Sequence, residues 1–99
     1  MIKISKDNII PRQKEVVRYL KKHGITKASV FGSYARRDQK KRSDIDILVK
    51  VKNGTSLLDL AGFELDLEDI MKRKVDLLTY DAIHPYVKDE ILKDEIFIL

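Results

Sequence analysis

Two aspartates open what is otherwise a β-forming apolar run, Asp44-Ile45-Asp46-Ile47-Leu48-Val49. Strand alternation puts Asp44 and Asp46 on one face and Ile45 and Ile47 on the other. At i and i+2 the two carboxylates stand about 7 Å apart at Cα. Asp is depleted in strands, and like charges side by side repel. A strand carrying both needs something to offset that repulsion, and a divalent cation does so. Mg2+ takes hard oxygen ligands, keeps waters, and is held by a few carboxylates together with substrate phosphates. The competing reading makes Asp44 a turn residue and Asp46 a solvated edge charge.

Two further features bear on that choice. In Lys74-Val75-Asp76-Leu77-Leu78 a carboxylate again interrupts an apolar β-forming run. If this strand lies beside the first, Asp76 joins the same face; taken alone, it is a rim residue. Upstream, Gly32-Ser33 follows a predicted strand and precedes a helical turn. Gly removes the Cβ where a phosphate must approach the backbone, and Ser33 adds a hydroxyl at an anion-favouring helix start. The plainer reading is a turn with Ser33 as N-cap.

The rest of the chain frames these segments. Pro11 to His23 predicts a helix, with Val16, Val17, Tyr19 and Leu20 as its apolar stripe and Gly24 as its stop. Lys27 to Phe31 predicts a strand, Ser33 to Arg37 a helical turn, and Asp44 to Val51 the second strand. Asn53-Gly54 is a turn signal. Ser56 to Lys72 predicts the longest helix, with Ser56 and Asp59 at capping-box spacing and Leu57, Leu60, Ala61, Leu65, Leu67, Ile70 and Met71 among its apolar positions. Val75 to Thr79 predicts a third strand; His84-Pro85 breaks the chain before a last helix from Tyr86 to about Glu95. The order α-β-α-β-α-β-α describes an α/β fold, a small mixed three-stranded sheet flanked by about four helices. At 99 residues the expectation is one domain, 1–99.

Composition excludes several classes. There is no Cys, hence no disulfide, thiolate metal site or cysteine nucleophile. No apolar run approaches the ~20 residues of a membrane span. Met1 to Asn8 alternates without the apolar core of a signal peptide, so a cytoplasmic, non-membrane protein is expected. The net charge is +4, and the segment between Tyr34 and Ser43 (Arg36, Arg37, Lys40, Lys41, Arg42 against Asp38) accounts for all of it. The molecule is also bipolar: residues 1–52 carry +10 and residues 53–99 carry −6. A local patch argues against general polyanion binding, and an acidic second half fits poorly with a nucleic-acid ligand.

Taken together, Gly32-Ser33, ten residues, Asp44-x-Asp46 and a later-strand Asp76 resemble the nucleotidyltransferase fold of the DNA polymerase β superfamily. Within it the chain is similar to minimal nucleotidyltransferase (MNT) domains, from the Pro11 helix to the last helix. The resemblance implies transfer of a nucleoside monophosphate from an NTP to an acceptor hydroxyl. It implies that Asp44, Asp46 and Asp76 hold Mg2+, two ions, with Asp76 completing the site that activates the acceptor. Gly32 and Ser33 would hold the β- and γ-phosphates. Arg36, one turn beyond Ser33, can reach a phosphate. One departure is visible: the family commonly has Gly after the Ala-Arg pair, and this chain has Arg37.

By the same resemblance, such chains are often antitoxins that transfer AMP from ATP onto a tyrosine of a helical HEPN-domain ribonuclease toxin, a hetero-oligomeric partner. Two rivals are an inactive fold that neutralises the toxin by contact alone, and an enzyme acting on a small molecule or an RNA end. Other residues are open to two readings. His84 is a base or a structural loop residue. Tyr19, Tyr34, Tyr80 and Tyr86 stack on a base, accept AMP, or pack at the core edge. Ile96-Phe97-Ile98-Leu99 is the end of a docked element or a partner surface.

Overall fold

The computed structural model describes residues 8–99; the alternation read for the N-terminus lies, up to residue 7, outside them. The elements are α1 (Gln13–Lys22), β1 (Lys27–Phe31), α2 (Gly32–Arg36), β2 (Ile45–Lys50), α3 (Leu57–Met71), β3 (Val75–Thr79), a 3₁₀ turn (Tyr80–Ala82), α4 (Pro85–Lys93) and β4 (Ile96–Phe97). The sheet order is β3-β2-β1-β4. β1 runs antiparallel to β2 and β4, and β2 runs parallel to β3. The sheet is therefore mixed, as expected, but has a fourth strand. The apolar C-terminus supplies it: Ile96 and Phe97 pair with Val30 and Ser29, and Ile98 is buried. Two residues of β4 are too few to register as a strand pattern in sequence.

Alternation divides the sheet's two faces. Ala28, Val30, Ile45, Ile47, Val49, Val75 and Leu77 join the core with Val16 and Leu20 of α1 and Leu67 and Met71 of α3. Because β1 and β2 are in register, Ser29, Phe31, Asp46 and Leu48 occupy the other face. Thus the face toward α1 and α3 is apolar throughout, while the other face carries Asp46 beside buried Ser29, Phe31 and Leu48.

Local signals explain most boundaries. Ser56 and Asp59 form the reciprocal capping box, each side chain accepting the other's backbone N–H at 3.0 Å. His84 caps α4, its Nδ1 accepting from the Tyr86 N–H at 3.2 Å, with Pro85 at the first helical position. α1 begins at Gln13 instead of Pro11, because Arg12 takes a left-handed φ of 52° as N-cap. α3 departs from expectation on burial. Its Leu57 and Leu65, read as stripe residues, are exposed, while Phe63 packs on the core. Its inner glutamates guard the β3 edge: Glu68 accepts from Val75 N–H at 2.9 Å and Glu64 from Leu77 N–H at 3.1 Å. Among the described residues no helix is long and apolar enough to cross a membrane.

Candidate active site

Asp46 lies on β2 directly opposite Asp76 on β3, and on the other side opposite Phe31 of β1. Parallel neighbours are about 4.8 Å apart, so two carboxylates of like sign stand abreast on one face. Asp44 just precedes β2 and is exposed. Burial, then Asp76 and then Asp44 push the Asp46 carboxyl up to about 6, and the Arg36 charge opposes that rise. The oxygen-only donor set suits a hard divalent cation in kind. Among the described residues no group of three or more His, Asp or Glu is gathered closely enough to hold an ion as it stands. Asp44, Asp46 and Asp76 share a face without closing on one point.

Gly32 begins α2 at the end of β1. It has φ 69°, and a Cβ there would overlap Asp46 Oδ2 and come within 3.2 Å of Asp46 Cγ. Both the left-handed backbone and the close approach require glycine. Ser33 is not the N-cap that its sequence position suggests: Phe31 is the N-cap, without a side-chain bond, and Ser33 sits inside the first turn. The helix start is thus assembled from backbone amides, with Ser33 on its first turn beside Asp46's strand.

Arg37 closes α2 with φ 61°, a left-handed conformation that favours Gly. The family's usual glycine would stand at this position, and the chain bears the strain with an arginine. Arg36 is engaged on its outer side, its Nη1 donating to Asp94 Oδ2 at 2.8 Å and its Nε to Asp38 Oδ2 at 3.1 Å. Those two carboxylates hold the guanidinium charged. Asp94 was not anticipated from sequence; it lies 58 residues away and no local pattern links it to Arg36. Lys40 and Ser43 close the basic loop by a turn, and Lys40, Lys41 and Arg42 are exposed.

A second polar group lies on the same sheet face. Buried Ser29 donates from Oγ to Glu95 Oε2 at 2.6 Å, Tyr80 donates to the same oxygen at 2.5 Å, and Ser29 and Tyr80 are 2.9 Å apart. Burial and Glu95 raise the Tyr80 hydroxyl well above its ordinary value. Asp94 and Glu95 together therefore tie the α4–β4 junction to α2 and to the sheet. Tyr19 donates to Asp66 at 2.5 Å, joining α1 to α3, and Tyr34 is buried. His84 is a structural cap, and Tyr86 is exposed against its ring.

The polymerase β nucleotidyltransferase family model matches residues 14–99. The chain belongs to this family. MJ0435 of Methanocaldococcus jannaschii, which carries the name protein adenylyltransferase, is 48% identical over 92 residues, 93% of this chain and 99% of that protein. MJ1217 of the same organism, named likewise, is 43% identical over 91% of each chain. The protein adenylyltransferase MntA of Thermococcus cleftensis is 29% identical over 93% of this chain and 91% of its own length. Among solved structures, a minimal nucleotidyltransferase superposes with TM-score 0.75 at 33% identity, covering 86% of this chain and 87% of that one. A toxin–antitoxin complex with AMP-PNP superposes with TM-score 0.79 at 18% identity, covering 89% of this chain and 73% of that chain, and bears on the fold alone. The chain is a nucleotidyltransferase of the minimal type, with protein adenylyltransferases among its homologues.

Proposed function

We propose that the protein transfers AMP from ATP to a tyrosine hydroxyl of a partner HEPN ribonuclease toxin, and so acts as its antitoxin. The observation that carries this reading is the juxtaposition of Gly32 with Asp46, and of Asp46 with Asp76. It places a glycine-opened helix start against a pair of carboxylates, as needed for a triphosphate lying across hard-cation ligands. The names of MJ0435 and MntA support a protein acceptor.

In this reading Asp44, Asp46 and Asp76 hold Mg2+. An ion held there would neutralise charge developing on the oxygens of an in-line displacement. Gly32 and Ser33 cradle the β- and γ-phosphates. Arg36 supplies positive charge near the phosphates and the carboxylates. The acceptor oxygen bonds to the α-phosphorus, the bond to pyrophosphate breaks, and Asp76 takes the hydroxyl proton. Positioning and charge neutralisation are the main requirements of such transfer. The toxin would come from a second protein in a hetero-oligomer, in the cytoplasm.

The test is incubation of the purified protein with its partner toxin, Mg2+ and ATP labelled at the α-phosphate. The expected result is label on a tyrosine of the toxin and loss of ribonuclease activity. Neutralisation that proceeds equally without ATP would contradict the transfer reading.

A further inference from the structure

The described residues include five exposed large hydrophobic side chains, and three of them stand on α3. Leu57, Leu58 and Leu65 are 85%, 83% and 65% exposed. Leu58, Leu65 and exposed Ala61 fall within about 60° of helical arc on the side away from the sheet, and Leu57 lies on the flank of that arc toward Glu68. α3 packs on the core through its inner stripe, Leu60, Phe63, Leu67 and Met71. Its outer stripe leaves apolar surface in water without an intramolecular return.

Gly62 adds an independent observation. It sits inside α3 beside Leu58 and Leu65, and a Cβ there would meet open space. Glycine weakens a helix relative to alanine, and nothing within this chain requires it at that point. Ala61 and Gly62 make a notch between leucines, a place where another backbone can come close. Charge then selects the partner. From Leu57 to Met71 the helix carries Asp59, Glu64, Asp66, Glu68 and Asp69 and no Lys or Arg. Glu64 and Glu68 are turned to the β3 edge. Asp59, Asp66 and Asp69 are exposed on the adjoining arc, where Asp59 caps the helix, Asp66 accepts from Tyr19 and Asp69 pairs with Lys72, leaving the face acidic on balance. A two-fold contact between copies would set these aspartates against one another, so self-association is disfavoured.

We propose that the outer face of α3 is the docking surface for the acceptor protein, which presents an amphipathic helix whose apolar stripe is flanked by Lys and Arg. Leu58 and Leu65 are the anchors, and the Ala61–Gly62 notch receives the partner's backbone. The position suits a reaction at Asp76. Glu68 and Glu64 fix α3 alongside Val75 and Leu77, so the docking face runs beside the strand that carries Asp76. A partner seated there reaches the carboxylates over the sheet edge.

The proposal rests on the reading that the acceptor is a protein, but its test contains no nucleotide and stands apart from transfer. A labelled Leu/Lys amphipathic helix of about 18 residues, about five turns, is titrated with the full chain, with its Leu/Glu counterpart as control. The wild type should bind the Leu/Lys helix, more weakly as salt rises, and should not bind the Leu/Glu helix. Leu58→Ser/Leu65→Ser and, separately, Gly62→Leu should each weaken binding about tenfold or more. Gly62→Leu should keep or raise the melting temperature, which separates a filled notch from a failed fold. Equal binding by wild type and both variants, equal binding of the two peptides, or dimerisation of the chain through Leu58 and Leu65 would overturn the proposal.

Discussion

Asp46 and Asp76 are register partners across the parallel β2–β3 pair, so their side chains leave the sheet together on the face that the core helices do not cover. The arrangement stores a repulsion that the Arg36 charge only partly relieves. Burial and the neighbouring aspartates raise the Asp46 carboxyl to about 6. A site built this way is stabilised by whatever brings positive charge to it.

The consequence for pH follows from the sign of that shift. The Asp46 carboxyl titrates higher in the folded chain than in the unfolded one, from 3.8 to about 6. Protonation therefore favours the fold: this contribution is complete below 3.8 and is lost as pH rises through about 6. Without divalent metal, the melting temperature should fall across that window in the wild type and change less in Asp46→Asn. Mg2+ with ATP should raise the melting temperature more at pH 7.5 than at pH 5, read by thermal shift. A Mg2+ effect equal at both pH values would contradict the electrostatic account.

Gly32 tests the close approach of the start of α2 to Asp46. Gly32→Ala should lose about 1–3 kcal/mol in chemical denaturation, from the left-handed φ and the overlap with the carboxylate. In the Asp46→Ala background the same substitution should cost less, because only the backbone strain remains. Identical costs in the two backgrounds would show that the overlap is relieved some other way.

Arg36 connects the site to the chain's C-terminal segment through Asp94. Arg36→Gln should raise the KM for ATP about tenfold with a smaller effect on kcat, the signature of lost phosphate binding. Its effect on stability should be small, since the guanidinium stands in solvent and its ion pairs are screened there. Steady-state kinetics at varied ATP decide this; an unchanged KM would remove Arg36 from nucleotide binding.

Much of this was legible in the chain because the informative signals are local. β1 and β3 follow their apolar, β-branched and aromatic residues, and α3 follows its capping box. The pairing of Asp46 with Asp76 was legible only conditionally, since strand alternation fixes a face and not a neighbour. What escaped was non-local or energetic. β4 is two residues long and exists because β1 offers it an edge. The Arg36–Asp94 and Ser29–Tyr80–Glu95 contacts join residues far apart in sequence, which no periodicity encodes. Leu57 and Leu65 match a core stripe by composition, yet the helix turns them to solvent because Leu60, Phe63, Leu67 and Met71 already fill the sheet side.

In the proposed function, the carboxylates abreast on β2 and β3 drive nucleotidyl transfer. The most direct measurement is the single-turnover rate of AMP transfer from ATP to the partner toxin, for wild type, Asp46→Asn and Asp76→Asn, at saturating Mg2+. Each substitution keeps the side-chain shape and removes a carboxylate charge. Both should lower the rate about 10³-fold or more, as loss of a charge-stabilising group at a transfer site does, with the fold intact. Transfer by either variant at the wild-type rate would contradict the account.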